Sequence, residues 1–349
     1  MSETVENEVF AAEGPPPSPV QRNVVVRTAF DAFMRRREAT ILIVALALAV
    51  YFRSASDAFL TQNNLINITQ LMAPWVIIGV GEVYLLVSGE IDLSAGAVYT
   101  LSPFLMHYAI DYYGMYPIVA IVVAVLIGAI VGFGNGFVTV ILKVPSFVTT
   151  LGMLFLIQGI MLTTSHAYPA PIPQAAQGTI QEWFGLARWS MLIWFLLIVA
   201  YFHVVLTRTR WGLYTIAVGG NLLGAGEAGI RTARIKIGNF MITGGLAAFA
   251  GVLVAFHTQT IDPTASGADG ASQMFFGVAA AVIGGTALAG GSGTVIGALL
   301  GALVLAELQV GFSLIGISAN QYTLILGLAI LGSMILNVQL ARLRRAGRT

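Results

Sequence analysis

Four carboxylates lie within or directly beside strongly apolar stretches of the sequence. A charge at the centre of a bilayer costs about 2.5–3.5 kcal/mol on insertion scales, so each of them requires a physical reason. One reason is proton relay across a membrane. The other reason is local structure. Asp92 and Ser94 stand where an N-cap would begin a helix, and Glu82 and Glu307 could face a wet cavity or a helix interior. The four carboxylates are Glu82, Glu90, Asp92 and Glu307.

Three neutral polar residues also interrupt apolar stretches, where they could hydrogen-bond across helices or line a path. They are Asn135, Gln158 and Gln309. The sequence has no cysteine, which excludes disulfides and thiolate metal sites. Its histidines, at positions 107, 166, 203 and 257, do not have metal-ligand spacing. We therefore expect no metal and no cofactor bound by this chain.

Motifs of catalytic sites are absent from the sequence. Nothing reads G-x-x-x-x-G-K-[ST], and the glycine-rich stretch 284–294 lacks the lysine of that motif. If the protein is a pump, ATP hydrolysis must take place in another subunit. The sequence also shows no nucleophile elbow, no zincin motif and no sign of nucleic-acid binding. These absences argue against a membrane-embedded enzyme.

A basic polar break at 208–236 separates two apolar stretches and contains a short helix candidate. Asn221 is a good N-cap, and Leu222, Ala225 and Gly229 follow on one helical face. Glu227 precedes Arg231 by four residues, which is the better orientation for an ion pair. Such a helix could dock on a partner or pack on its own protein. The basic residues of the break are Arg208, Arg210, Arg231, Arg234 and Lys236.

The composition indicates an all-α polytopic membrane protein. The 349 residues are 57% hydrophobic and 9% charged, whereas soluble domains are about 25% charged. About ten apolar segments have helical length. They are 39–54, 64–88, 94–110, 116–142, 146–164, 189–207, 236–258, 274–289, 293–313 and 319–338.

The distribution of basic residues predicts the orientation in the membrane. With both termini cytoplasmic, only Arg53 and Arg188 of the 17 Lys and Arg fall outside, as the positive-inside rule requires. The predicted parts are a cytoplasmic, largely disordered tail with a basic anchor, a transmembrane domain and a basic cytoplasmic tail. Within the transmembrane domain lie a cytoplasmic loop, 208–235, and the largest exterior loop, 165–188. The three parts cover residues 1–38, 39–338 and 339–349.

Two glycine stripes at a spacing of four residues predict close helix packing. The segments 64–164 and 236–338 also match in order, four spans against four with opposite orientation. This is the pattern of a weak inverted repeat, which is common in transporters. The stripes are Gly128, Gly132 and Gly136 in one half, and Gly293, Gly297 and Gly301 in the other.

Four stretches in order together resemble the permease subunits of ribose-type bacterial ABC transporters, which import sugars. GEIDLSAGAVYTLS resembles the family's GGIDLSVGS stretch, and AVGGNLLGAGEAGI resembles its GGN-containing cytoplasmic loop. KVPSFVTTLGM and AAAVIGGTALAGGSGTVIGALLGAL match its remaining two motifs. The four stretches occupy 89–102, 217–230, 143–153 and 279–303, respectively.

The resemblance implies a multi-pass permease in the bacterial plasma (inner) membrane that works as a homo- or heterodimer. It also implies a cytoplasmic ABC ATPase, which would hold ATP and magnesium, and an exterior sugar-binding protein, periplasmic or lipid-anchored. The GGN loop would form the coupling helix that docks on the ATPase. The positions carried over are Gly219, Gly220, Asn221, Ala225, Gly229 and Ile230, and Glu227 lies in the same stretch.

The sequence departs from this family at several positions and leaves alternatives open. Glu90 stands where the family usually has glycine, which points to a different substrate or to a local cap. Gly224, Gly226 and Ala228 replace the usual Ala, Arg and Ser, and Ser292 replaces a common basic residue. The alternatives are a branched-chain amino-acid or nucleoside permease of the same superfamily, and an ion-coupled secondary transporter that uses Glu82, Asp92 or Glu307.

Overall fold

The computed structural model describes residues 37–263, 269–318, 321–328 and 330–332, together with residues 335 and 339. The predicted tails therefore lie outside the described residues, apart from positions 37, 38 and 339. Of the last predicted span, 319–338, the part after residue 332 also lies outside them, apart from position 335. The described chain is almost entirely helical. Its helices are α1 (Arg37–Ala55), α2 (Gln62–Val87), α3 (Ala95–Asp111), α4 (Pro117–Val140), α5 (Ser146–Ser165), α6 (Ser190–Arg208), α7 (Arg210–Gly220), α8 (Leu222–Glu227), α9 (Thr232–Thr258), α10 (Asp269–Ile283), α11 (Val295–Leu314) and α12 (Gln321–Gly332, in which residue 329 is not described).

Seven of the described helices are long and apolar enough to cross a membrane: α1, α2, α4, α5, α6, α9 and α11. The shorter helices α3, α10 and α12 correspond to the other three predicted spans. The prediction of an all-α polytopic membrane protein is therefore confirmed. One boundary was wrong, because the span predicted to reach residue 289 ends at Ile283. Gly285 then adopts a φ of +85°, which a right-handed helix cannot continue.

Proline marks helix starts at two positions and is tolerated inside two other helices. Pro117 is at the first position of α4, where a missing N–H costs nothing, and Pro145 directly precedes α5. Pro74 and Pro103 lie inside α2 and α3 without ending them. Such prolines are tolerated in membrane helices because neighbouring groups satisfy the freed carbonyls.

Helix α2 lies at the centre of the protein, and 89% of the residues in an apolar stretch of 18 residues of this helix are buried. Its Trp75 stacks on Phe276 of α10 with ring centroids 4.4 Å apart, and the Trp75 indole N–H donates to Gln273 at 2.7 Å. By contrast, only 17% of the corresponding stretch of α5 is buried, and Phe155 is among its exposed residues. Apolar side chains on such a face are suited to contact with lipid or with another membrane helix.

The helix contacts have the pattern expected of two related halves. Helix α2 packs on α10 and α11, and α9 packs on α3 and α4. Likewise α3 packs on α4, and α10 packs on α11. Exchanging α2, α3 and α4 for α9, α10 and α11 reproduces the same set of pairs. This exchange supports the predicted repeat of 64–164 and 236–338.

The first glycine stripe lies where α4 meets α9. A Cβ atom at Gly128 would lie 2.6 Å from the Gly244 carbonyl oxygen, and one at Gly132 would lie 2.2 Å from that of Phe240. Gly136 meets the backbone of Ile237 in the same way, at 2.8 Å. These glycines let the two helix backbones approach more closely than any side chain would permit.

The second glycine stripe lies at the start of α11. A Cβ atom at Gly297 would lie 2.1 Å from the Gly284 carbonyl oxygen, and one at Gly301 would lie 2.1 Å from that of Ala280. Gly293 lies just before the helix, against side-chain atoms of Thr286 and Val87. This stripe therefore brings α11 against α10 and against the segment that follows α10.

The connections divide between the two ends of the helix bundle. We call the end that contains α7 and α8 the basic end; turn 88–94, segment 141–145 and loop 284–294 belong to it. At the opposite end, strand β1 (Ala170–Pro171) pairs antiparallel with β2 (Thr260–Ile261). The segment between β1 and α6 contains short helical turns at Gln174–Ala176, Thr179–Gln181 and Glu182–Leu186. The pairing fixes the predicted exterior loop 165–188 against the end of α9.

Candidate functional site

The basic loop 208–235 folds into two consecutive short helices. Thr209 precedes α7, and its hydroxyl accepts a hydrogen bond from the Gly212 N–H at 3.4 Å. Asn221 separates α7 from α8, and its side-chain oxygen accepts from the Gly224 N–H at 3.0 Å. This is the N-cap geometry expected from the sequence. The cap turns the chain sharply, so α8 starts in a new direction.

Helix α8 places the residues of its predicted face in different surroundings. Ala225 is only 5% exposed and packs with Val218 and Ile235. Leu222 and Leu223 are 48% and 80% exposed. The predicted face is therefore divided, because Ala225 faces its own protein while the two leucines face outward. Ala225 cannot touch a partner directly, and any docking contact must come from its neighbours.

The end of α8 also differs from the expectation. Glu227 is the last helical residue, and Gly229 follows with a φ of +81°. Because this turn takes Arg231 off the helix, Glu227 and Arg231 form no ion pair within the described part of the chain. Gly229 has open space around it, so its role lies in the turn. Ile230 packs against the cluster that contains Ala225.

Two of the four sequence motifs, 217–230 and 279–303, meet at the basic end, beside the end of α2. The Gly291 N–H donates to the Val87 carbonyl oxygen at 2.8 Å, which joins loop 284–294 to the end of α2. A Cβ atom at Gly219 would lie 1.6 Å from the same oxygen. A Cβ atom at Gly291 would lie 2.9 Å from the Cα of Gly220, so α7 ends directly on both segments. Only glycine fits at positions 219 and 291, the latter also because of its φ of +77°.

A polar network anchors α7 to the helix bundle. The Trp211 indole N–H donates to the Asn239 side-chain oxygen at 2.9 Å. The Asn239 amide in turn donates to the Tyr84 carbonyl oxygen at 3.3 Å and to the Thr215 hydroxyl at 3.4 Å. Asn239 is fully buried. This network was not predicted from the sequence, although the tryptophan in the basic loop and the asparagine inside an apolar helix were both visible there.

Glu90 and Lys236 form an ion pair at the same end. The Lys236 Nζ donates to the Glu90 carboxylate at 2.6 Å, and their side chains are only 14% and 13% exposed. Glu90 belongs to turn 88–94, and Lys236 lies in the second turn of α9. Glu90 was predicted as a pathway candidate, but the structure places it in this contact. The only signal for the contact in the sequence was the position of Lys236 at the edge of an apolar stretch.

Asp92 and Asn135, two predicted pathway candidates, are brought together with Ser94. The Asp92 carboxylate accepts from the Ser94 N–H at 2.8 Å and from the Ser94 hydroxyl at 2.6 Å. The Asn135 amide donates to Ser94 Oγ at 2.7 Å and to Asp92 at 3.2 Å. Burial raises the pKa of the Asp92 carboxyl, and the hydrogen bonds from Ser94 and Asn135 oppose this shift. The geometry is that of a buried cap at the start of α3.

The remaining pathway candidates are dispersed through the protein. Glu82 is completely buried in α2, and Glu307 is 6% exposed in α11. Both Glu82 carboxylate oxygens, and one of Glu307, have no hydrogen-bond partner among the described residues. Gln158 is half-buried in α5 and lines neither of the two cavities below. Gln309 lies at the smaller of the two cavities described below.

Two cavities lie toward the opposite end of the bundle. The larger is about 430 Å³ and lies between α3, α9, α10 and β2. Its polar lining residues are Tyr99, Thr100, Thr258, Thr260, Asp262 and Gln273. The smaller is about 350 Å³ and lies between α2, α11 and α12, with Asn64, Asn67, Gln309, Ser313 and Tyr322 among its lining residues. Both volumes fall within the range of about 300–1,000 Å³ typical of small-molecule sites. Hydroxyls and amides predominate among their polar groups.

Comparison with known proteins shows which family the chain belongs to. Residues 64–335 match the protein family described as "Branched-chain amino acid transport system / permease component". The chain belongs to this permease family. The matched region begins in α2 and contains α3 to α12, so it includes both halves of the repeat and the loop that carries α7 and α8.

Several curated relatives cover most of the chain. The xylose/arabinose import permease protein XylH of Sulfolobus acidocaldarius is 37% identical over 87% of this chain and 85% of its own length. The ribose import permease protein RbsC of Escherichia coli is 32% identical, with 84% and 91% covered. The autoinducer 2 import system permease protein LsrC of Salmonella typhi is 31% identical, with 87% and 86% covered. No solved structure matched the chain significantly.

These findings confirm the resemblance read from the four motifs. The chain is a multi-pass membrane permease of the family that supplies the permease components of ABC transporters. The relatives above are import permeases for sugars or for autoinducer 2.

Proposed function

We propose that this chain is the permease subunit of an ATP-driven importer that moves a sugar or related polyol into the cytoplasm. The chain would lie in the plasma membrane with both termini on the cytoplasmic side, so that the basic end faces the cytoplasm, as the distribution of Lys and Arg favours. It would work as a homo- or heterodimer with a second permease subunit. ATP and magnesium would be bound by a separate ABC ATPase.

The observation that carries the proposal is the exposed apolar surface of α8 on the basic loop. Leu222 and Leu223 project from a short, capped helix outside the membrane-spanning segments. Water is an unfavourable surrounding for two adjacent leucines, and a groove on a cytoplasmic partner would cover them. An ATPase subunit is the partner that a permease of this family requires for energy. The buried Ala225 holds the helix on the bundle while the leucines face the partner.

The chemistry of the opposite end supports a neutral substrate. The polar groups at the larger cavity are mainly hydroxyls and an amide, together with the carboxylate of Asp262, and all of these can hydrogen-bond to the hydroxyl groups of a sugar. The buried Asp92 is held in a local cap and Glu90 is paired with Lys236. Neither carboxylate is therefore available as a counter-ion. An exterior sugar-binding protein would deliver the substrate to this end, where loop 165–188 offers a contact surface.

The proposal is tested with a matched pair of substitutions at one exposed position. Leu223→Asp places a charge in the docking surface without touching the core, and Leu223→Met keeps the surface apolar. The tagged permease is co-expressed with a candidate ABC ATPase from its own genome, purified in detergent and reconstituted in liposomes for sugar uptake. We expect the wild type and Leu223→Met to retain a stoichiometric ATPase and ATP-dependent uptake, and Leu223→Asp to lose both.

Two outcomes would contradict the proposal. If Leu223→Asp retained the ATPase and full uptake, the exposed face of α8 would not be the docking surface. If the permease alone transported substrate in liposomes without ATP, the chain would be a secondary transporter. The carboxylates of Glu82, Asp92 and Glu307 would then be the first groups to neutralise.

A further inference from the structure

The turn that carries Glu90 does not need a carboxylate to form. Gly89 adopts the φ of +81° that the turn requires, and the Glu90 N–H donates to the Leu85 carbonyl oxygen at 2.9 Å. Both features depend on the backbone alone. In the permeases that this stretch resembles, glycine usually stands at position 90. The Glu90 side chain is therefore an addition to the turn, and its contact in this structure is Lys236.

Lys236 lies close along the chain to α8, and the segment between them is packed against α8. Helix α8 ends at Glu227 and α9 begins at Thr232, so four residues separate the two helices. Ile230 in this junction and Ile235 in the first turn of α9 pack with Ala225 in one cluster. A displacement of α8 by a partner must therefore move the first turns of α9, where Lys236 lies.

Glu90 is connected in turn to the helices that line the larger cavity. It lies two residues before Asp92, whose carboxylate holds Ser94 at the start of α3 and is bonded to Asn135 of α4. Helix α3 supplies Tyr99, Thr100 and Pro103 to the cavity lining. A pull on Glu90 therefore acts on the start of a helix that lines the cavity.

We propose that the Glu90–Lys236 ion pair is a positioning contact that transmits the movement of α8 to turn 88–94 and so couples ATP hydrolysis to transport. Both side chains are mostly shielded from water, so the attraction between them is weakened little by solvent and salt. An ion pair is well suited to this task because it resists separation and can still change its angle. The proposal rests on the proposed function, since it presumes that an ATPase moves α8.

A purely structural role must be separated from this one. Removing one partner would leave the other charge buried and unpaired, which destabilises a protein whatever the function of the pair. The informative variants therefore change both residues. Glu90→Gln with Lys236→Met removes both charges and keeps the side-chain lengths similar. Glu90→Lys with Lys236→Glu restores the pair with its charges exchanged.

The experiment measures the amount of sugar imported per ATP hydrolysed. The complex of permease, ATPase and sugar-binding protein is reconstituted in liposomes, with D-ribose, D-xylose or L-arabinose as the probe, whichever the wild type imports. We expect the doubly neutral variant to bind the ATPase and hydrolyse ATP at a rate similar to that of the wild type. Its ratio of sugar to ATP should fall by about fivefold or more, as for a typical coupling between sites. The exchanged pair should recover much of the ratio.

A wild-type ratio in the doubly neutral variant would overturn the proposal and leave the pair a structural feature. If that variant does not assemble, Glu90→Asp replaces it, since it keeps both charges and shortens the reach by one methylene. An unchanged ratio in Glu90→Asp would then overturn the proposal. ATP-independent uptake by the wild type is a different result, because it would overturn the proposed function itself.

Discussion

Substituting Gly132 by alanine tests whether the contact between α4 and α9 determines the stability of the permease. A Cβ atom at this position would lie 2.2 Å from the Phe240 carbonyl oxygen and 2.9 Å from the Cα of Met241. Both obstacles are backbone atoms, so no side-chain rotation can relieve them. Gly152 in α5 offers the matched control, because nothing lies within 4 Å of a Cβ added there.

The expected magnitude follows from two opposing effects. Ordinary contact begins near 3.4 Å, so α4 and α9 must separate locally by about 1 Å, and overpacking of this kind costs about 1–3 kcal/mol. Alanine is more favourable than glycine inside a helix by about 1 kcal/mol. We expect Gly132→Ala to lose up to about 2 kcal/mol and Gly152→Ala to gain up to about 1 kcal/mol, given these two terms.

Thermal unfolding in detergent, followed by tryptophan fluorescence, measures the difference. Gly132→Ala should unfold at an apparent Tm several degrees below that of the wild type. Gly152→Ala should unfold at or above the wild-type temperature. If Gly132→Ala were as stable as Gly152→Ala, the two helices would not be packed as closely as the structure shows, and the role of the glycine stripe would have to be abandoned.

Two further predictions concern the buried cap and the larger cavity. Asp92→Ala should lower the free energy of unfolding by about 1–3 kcal/mol, because buried donors of Ser94 and Asn135 lose their acceptor. Thermal unfolding measures this loss, with Asp92→Asn, which keeps an accepting oxygen, as the control. Equal stability of the wild type and Asp92→Ala would refute the prediction. Val254→Phe, which adds volume at the lining of the larger cavity, should strongly reduce sugar uptake without releasing the ATPase. Val122→Phe on the exposed face of α4 should leave uptake unchanged, and equal uptake by both variants would count against a path through the cavity.

Much of the architecture could be predicted from the sequence because a bilayer leaves few alternatives. Apolar runs of helical length must form helices, since an unpaired backbone group in lipid is too costly. All ten predicted segments correspond to helices in the described residues. The helix boundaries were less certain where glycine permits an early end, as at Gly285 after α10. The four motifs together were enough to identify the family, which the comparisons confirm.

The direction in which side chains point could not be read from spacing on a short helix. Leu222, Ala225 and Gly229 fall on one face of an ideal helix, yet α8 is only six residues long and ends before Gly229. Its orientation is determined by what it packs against, namely Val218 of α7 and Ile235 of α9. Ala225 therefore packs on its own protein, and Leu222 and Leu223 are the exposed side chains of this helix.

The sequence by itself determined the membrane class, the helical segments and the family, because hydrophobic length, charge distribution and motif order are local properties of the chain. The tertiary structure alone decided which distant residues act together. Glu90 and Lys236 are 146 positions apart, and Asp92 and Asn135 are 43 apart. The physical reason is that a single buried charge or amide is unfavourable, but nothing in its local sequence says which distant group will satisfy it. Only the packing of α2, α4 and α9 around turn 88–94 determines those partners.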